Sequence, residues 1–262
     1  LCNLLGAKKT EVVAMNQLTV NLNLMLVSFY QPKGKKRKII LEASAFPSDY
    51  YAVEQQIRYR GLNPNDCILE LTPRAGEVTL RTEDILQTIQ KNKDEVALIL
   101  LGAVNYYSGQ LFDLKKIGEA ACEHKIVYGL DLAHAIGNVE LKLHDWNVDF
   151  ATWCSYKYLN SGPGGVSGVF VHEHHAKDKS LPRFAGWWGN DERTRFKMQK
   201  HFVPQEGAQG WQMSNAPVIS MAAHKASLEI FEQAGLKNLR KKSEQMTQYL
   251  EYLLNSELRT SN

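Results

Sequence analysis

The 262-residue chain can bury one substantial core, and its 44% hydrophobic and 23% charged residues are ordinary for a globular protein. A net charge of +3 is too small to argue for nucleic acid, no apolar run is long enough to span a bilayer, and nothing resembles a signal peptide. Cys2, Cys67, Cys122 and Cys154 lack metal or disulfide spacing, which favours a reducing compartment, the cytoplasm by default.

The chain opens on Leu1 and stops just past a helical pattern, as expected for a central piece of a longer protein. Glu11 to Met15 reads as a short strand. Leu18, Leu22, Met25, Leu26 and Phe29 then recur at helical spacing. Thr19 near the start predicts an N-cap, and the same amide cluster can hold a phosphate. The basic run Lys33 to Lys38 reads as a solvated turn. Ile39 to Glu42 is a buried-strand pattern that runs toward Phe46-Pro47-Ser48-Asp49. Ser48 and Asp49 predict the opening of a helix through Tyr59, ended by Gly61. Phe46 falls on the loop before it, packed in the core or stacked on a planar ring.

Asp66 to Leu71 reads as a strand, Thr82 starts a helix carrying Ile85, Leu86 and Ile89, and Val96 to Leu101 is a continuous buried-strand run. The loop Gly102 to Gln110 carries Asn105, Tyr106 and Tyr107, and Asp113 to His124 is the next helix. This alternation predicts a βαβ series with a largely parallel sheet. Two further apolar runs follow. Ile126 to Leu130 ends in Asp131, with His134 just beyond, and Val148 to Cys154 ends in Ser155-Tyr156-Lys157 before the turn Ser161 to Gly165. Singly, Asp131 reads as a cap or core hydrogen-bond partner and Lys157 as a solvated lysine. Together they deliver an acid and an amine to the carboxyl-end rim where open α/β sheets bind ligands. That pair suits pyridoxal phosphate: the lysine forms a Schiff base and the acid keeps the ring nitrogen protonated.

Gly165 to Val171 predicts one more strand. His172-Glu173-His174-His175 lies at its end without the i, i+4 pair of a metalloprotease helix, so no metal is expected. Leu181 to Asn215, with Trp187, Trp188 and Trp211, has little periodicity and reads as a functional loop or an interface. Pro217 to Ala234 and Leu236 to Leu254 predict two amphipathic helices separated by Gly235. Residues 1–235 are accordingly expected to form a large cofactor-binding domain and 236–262 the truncated beginning of a smaller C-terminal one.

The order Asp131-x-x-His134, Tyr156-Lys157, Gly162-Pro163-Gly164-Gly165 resembles fold-type I pyridoxal-phosphate enzymes, in the class V aminotransferase-like branch. Within that branch Leu18-Thr19-Val20-Asn21, Phe46-Pro47-Ser48-Asp49, Asp131 to Ala135, Trp146 to Ala151 and Tyr156 to Asn160 resemble the kynureninase family. The resemblance covers about Thr10 to Leu254. It implies an α/β fold, a mostly parallel sheet between helices, and pyridoxal phosphate as cofactor. It also implies hydrolytic Cβ–Cγ cleavage of kynurenine or 3-hydroxykynurenine to anthranilate or 3-hydroxyanthranilate and alanine, in tryptophan catabolism and NAD biosynthesis.

By the same resemblance Lys157 is the Schiff-base lysine and α-proton base, Asp131 binds the pyridinium nitrogen beside His134, and Phe46 stacks on the ring. Leu18, Thr19, Pro47, Ser48, Asp49, Gly102 and the Tyr156 hydroxyl line the cofactor, Gly102 standing where the family can carry serine. Tyr107 resembles the proton donor to the β-carbon, and Trp187 and Asn215 the residues that complete the site from the other subunit of a homodimer. The arginine that the family uses for the substrate carboxylate is not found within these residues. The competing expectations are a cysteine desulfurase or class V aminotransferase, and an inactive cofactor-binding fragment. A desulfurase needs a mobile nucleophilic cysteine over the site, and Cys154 reads instead as packed core.

Overall fold

Val96 to Leu101 is apolar at every position because both faces of its strand are covered. Val96, Ile99 and Leu101 enter one hydrophobic cluster, and Ala97, Leu98 and Leu100 enter the other. The computed structural model describes residues 1–43 and 45–260 and holds one sheet. Its strands are β1 (Val12–Ala14), β2 (Lys38–Glu42), β3 (Ile68–Leu71), β4 (Val96–Gly102), β5 (Val127–Asp131), β6 (Phe150–Trp153) and β7 (Gly168–Val171). They lie in the order β1-β7-β6-β5-β4-β2-β3. Every pairing from β3 across to β6 is parallel, whereas β7 runs antiparallel to both β6 and β1.

The helices are α1 (Cys2–Leu5), α2 (Leu18–Phe29), α3 (Pro47–Tyr59), α4 (Pro64–Cys67), α5 (Thr82–Asn92), α6 (Leu114–Glu123), α7 (Val218–Ala234) and α8 (Leu236–Thr260). Leu22, Met25 and Leu26 of α2 and Val53 and Ile57 of α3 pack with Leu98 and Leu100 on one face of the sheet. Ile85 and Ile89 of α5 and Ile117 of α6 pack with Ile99 on the other. Each such side chain contributes about 1.5–3 kcal/mol when fully buried. Gly129 on β5 leaves room for the neighbouring strand: a Cβ there would meet the Phe150 ring at 2.2 Å. Phe150 in turn stacks on Phe29 of α2, with centroids 5.0 Å apart.

Two local expectations are corrected. The segment from Asp66 is not strand throughout. Pro64–Cys67 is a helical turn started by Pro64 and capped by the Asn63 side chain, which accepts from the Asn65 N–H, and the strand begins at Ile68. Thr19 does not cap α2. Gln17 is the N-cap and makes no side-chain cap bond, while Thr19 Oγ1 lies 2.8 Å from Ser48 Oγ at the start of α3. Cys2, Cys67, Cys122 and Cys154 are free, and no helix among the described residues is long and apolar enough to cross a membrane.

Candidate active site

Parallel strands deliver their carboxyl ends to one edge, so the last residues of β2, β4 and β5 must sit side by side. These are Glu42, Gly102 and Asp131, and the register pairs Gly102 with Asp131. Lys157 follows β6 on the same edge. A cavity of about 360 Å³ opens there, and Asp131 and Lys157 both line it. It also gathers Leu18, Thr19, Phe46, Ser48, Asp49, Gly102, His134 and Tyr156.

The charges within it are mutually set. Asp131 is buried, which disfavours its anion, but it accepts the Ala133 N–H at 2.6 Å and faces Lys157 and His134. Burial pushes Asp49 well up, and the nearby Asp131 charge pushes it further. Asp49 therefore holds the proton of the pair and donates it to Asp131, leaving Asp131 as the anion. Asp49 Oδ1 is buried and no N–H or hydroxyl donor of the described residues reaches it. Burial lowers His134, and the Lys157 cation lowers it further. A neutral His134 can accept at Nε2, which lies 3.1 Å from Lys157 Nζ. Lys157 Nζ also lies 5.7 Å from the centroid of the Phe46 ring, which is 46% exposed toward the opening.

Two helix N-termini meet at this cavity. α2 starts beside Leu18 and Thr19 and α3 beside Pro47 and Ser48, and neither N-cap residue uses its side chain on the free amides. Uncapped amides with the positive ends of two helix dipoles form an anion site. An acid, an amine, an aromatic face and this anion cradle fit a planar cofactor bearing a basic ring nitrogen, an aldehyde and a phosphate. No cysteine lines the cavity, and burial pushes the Cys154 thiol up, away from the thiolate a sulfur acceptor needs.

The cavity also takes in Glu42 and Val104, to which the sequence assigns no part in the site, together with Tyr106 of the rim loop and Ala133 of the Asp131–Ala135 motif. Glu42 was discoverable by the rule that found Asp131, since it ends a strand parallel to the Asp131 strand. Its carboxylate accepts the Gly102 N–H at 3.0 Å. Burial pushes it up to about 7; Asp131 adds to that shift and the Gly102 N–H opposes it. Tyr106 packs edge-on against Phe46 at 5.3 Å between centroids. Tyr107 is 84% exposed and lines an adjoining groove that shares Glu42 with the cavity. Pro47 is the exposed first residue of α3 and does not line the cavity. Trp187, packed against Phe196, and the exposed Asn215 do not line this cavity.

A family profile for aminotransferase class-V matches residues 1–261. The kynureninases of Myxococcus xanthus, Koribacter versatilis and Nematostella vectensis are 58%, 55% and 53% identical to this chain over 96%, 97% and 97% of its residues. The chain spans 59%, 60% and 55% of the length of these relatives. Among solved structures it resembles the apo cysteine desulfurase of Thermococcus onnurineus NA1, with a TM-score of 0.78 at 17% identity, over 97% of this chain and 60% of that one. An alanine–glyoxylate aminotransferase from Nostoc sp. gives 0.71 at 19% identity, over 98% and 63%. At those identities the likeness is one of fold.

Proposed function

The chain belongs to the aminotransferase class-V family, and from that premise we propose that it is a pyridoxal-phosphate-dependent kynureninase. The observation that carries this reading is that Asp131 and Lys157, from the ends of two adjacent parallel strands, line one cavity. Its likeness to kynureninases at 58% and 55% identity supports that substrate class over the other chemistries of the fold.

Pyridoxal phosphate, when bound, supplies an electron sink for the pair freed at the substrate α-carbon. Lys157 Nζ would hold its aldehyde, and the same amine would be the base that takes the substrate α-proton. His134 beside Lys157 stays neutral and accepts from the ammonium form, so it does not repel the proton Lys157 has gained. Asp131 would hold the ring nitrogen in its protonated form, and the proton on Asp49 keeps the carboxylate charge on Asp131. Phe46 would cover the ring. Thr19, Ser48 and the amide ends of α2 and α3 would hold the phosphate, with the Tyr156 hydroxyl; all but the amides are seen to line the cavity. Water adds to the γ-carbonyl of kynurenine or 3-hydroxykynurenine, the Cβ–Cγ bond breaks, and anthranilate or 3-hydroxyanthranilate leaves. Tyr107 gives the β-carbon its proton, and Lys157 returns the proton it took to the α-carbon before alanine departs. Tyr106→Phe and Tyr107→Phe, compared side by side, test that assignment against its neighbour at the cavity wall.

Trp187 and Asn215 complete the site of a second subunit in a homodimer. Their position outside their own chain's cavity supports this, as do the exposed Phe184, Phe196 and Met198 on the same long segment. Free cysteines are compatible with the cytoplasm as its place of work. The deciding experiment incubates the protein with pyridoxal phosphate and kynurenine. We expect an absorbance band near the visible edge that Lys157→Ala abolishes, and the fluorescence of anthranilate. Alanine released from cysteine but not from kynurenine overturns the substrate, and a wild-type protein without the band overturns the cofactor.

A further inference from the structure

At the other edge of the sheet, three side chains converge that the proposed reaction does not use. Asp149 lies just before β6, and His174 and His175 lie on the turn Glu173–His175 that follows β7. Because β7 runs antiparallel to β6, its end returns to the start of β6. His175 Nε2 is 2.7 Å and His174 Nε2 3.0 Å from one oxygen, Asp149 Oδ1, and the two nitrogens are 2.8 Å apart.

Protons do not satisfy that triangle. If both nitrogens carry hydrogen, two N–H groups face each other across 2.8 Å. If only one does, the lone pair of the other faces the carboxylate oxygen. If neither does, three lone pairs point at one another. Every protonation state leaves one repulsive edge, whereas a cation accepting all three lone pairs removes it. The ligand atoms are also held for such a role. Asp149 Oδ2 accepts the Tyr128 N–H at 2.7 Å, which fixes the carboxylate, and the His175 ring packs edge-on against Phe29 with centroids 4.9 Å apart.

We propose that Asp149, His174 and His175 form a binding site for a late first-row transition-metal dication, with zinc(II) the representative ion. Two imidazoles and one carboxylate suit such an ion better than magnesium or calcium, which prefer all-oxygen sites. Metal–nitrogen bonds of about 2.0–2.1 Å set ligand atoms about 2.9 Å apart at right angles and about 3.4 Å apart at tetrahedral angles, so the three ligands spread by a few tenths of an ångström to seat a tetrahedral zinc. The remaining coordination positions open on a cleft of about 310 Å³ that Asp149 and His174 line together with Cys122 and Asn147. Bound there, the ion clamps the start of β6 to the turn after β7, far along the strands from Lys157.

The neighbouring trio Glu11, His144 and His172 lacks this frustration. Glu11 Oε1 accepts the Glu173 N–H at 2.8 Å, His172 Nε2 donates to the His144 carbonyl, and His172 Nδ1 accepts the His174 N–H. Hydrogen bonds account for that group, so it serves as the control.

Metal-stripped holoenzyme is titrated with zinc(II) alone in a calorimeter, and its melting temperature is followed with and without the ion. The expected result is one ion per chain and a higher melting temperature. His174→Ala and His175→Ala should each weaken binding about a hundredfold or more, with the cofactor band and turnover retained. His144→Ala should bind as wild type does. The cofactor band reports folding of each variant, and His174→Gln replaces any alanine variant that loses it. No stoichiometric binding by the wild type overturns the proposal. So does binding that survives both histidine substitutions, or binding lost only in His144→Ala.

Discussion

The rims at the carboxyl and amino ends of the parallel strands hold buried carboxylates under opposite regimes. At the carboxyl end, Glu42 and Asp49 lie in a cavity with too few donors, and burial pushes both up, Glu42 to about 7. At the amino end, burial also acts against the anion of Asp149, but His174, His175 and the Tyr128 N–H outweigh it and hold Asp149 below its ordinary value. Burial by itself does not decide charge; the number of donors delivered to the carboxylate does. The donor-poor end is open to a ligand that supplies donors, whereas at the other end the Tyr128 N–H already holds the Asp149 carboxylate in place.

The largest expected break in this comparison is Asp131→Asn. It keeps the shape of the cavity and removes the charge that faces the cofactor ring nitrogen, so kcat should fall about 10²- to 10³-fold. His174→Ala, at the other end, should leave kcat unchanged; equal losses in steady-state assays would erase the distinction between the ends.

Glu42→Gln sharpens it next. The Glu42 carboxyl is raised from 4.5 to about 7 in the folded chain, so the folded state binds its proton more tightly than the unfolded state. Its stabilising share is complete below 4.5 and disappears as pH rises through 7. That share is roughly 3 kcal/mol. Denaturant unfolding of the cofactor-free protein should therefore show stability falling between pH 5 and pH 8, by an amount that Glu42→Gln largely removes. An unchanged slope in the variant would refute the assignment.

Asp149→Ala strips the other end of its acceptor and strands the buried Tyr128 N–H, at a cost of about 1–3 kcal/mol in denaturant unfolding. This loss should persist at pH 8, where the Glu42 share has gone. Gly102→Ser is the mildest test. A Cβ at Gly102 would meet Glu42 Oε1 at 3.0 Å, so the Glu42 side chain must yield by a few tenths of an ångström. Stability should change by less than about 1 kcal/mol, and cofactor affinity by less than tenfold in spectral titration. A larger loss would mean that Glu42 is fixed rather than adjustable.

Much of this architecture was legible in advance. Val96 to Leu101 announced a strand covered on both faces, and Asp131 and Lys157 announced a ligand-binding rim because parallel strands end on one edge. The same rule reaches Glu42, the last residue of a strand that ends on that edge. Thr19 was misread because a threonine at a helix start caps by default, and only the approach of α3 offered its hydroxyl Ser48 instead. The spacing within the histidine run shows nothing of Asp149, which meets His174 and His175 from the segment before β6.

The sequence by itself determined the period of each element, the βαβ order and the rim that the acid and the amine share. Those follow from local sterics and from side chains repeating along one strand or helix. The tertiary structure alone decided which carboxylate holds a proton, where Thr19 turns and what the histidines meet. Each of those depends on desolvation and on donors brought by segments remote in the chain, and no local pattern encodes such distances.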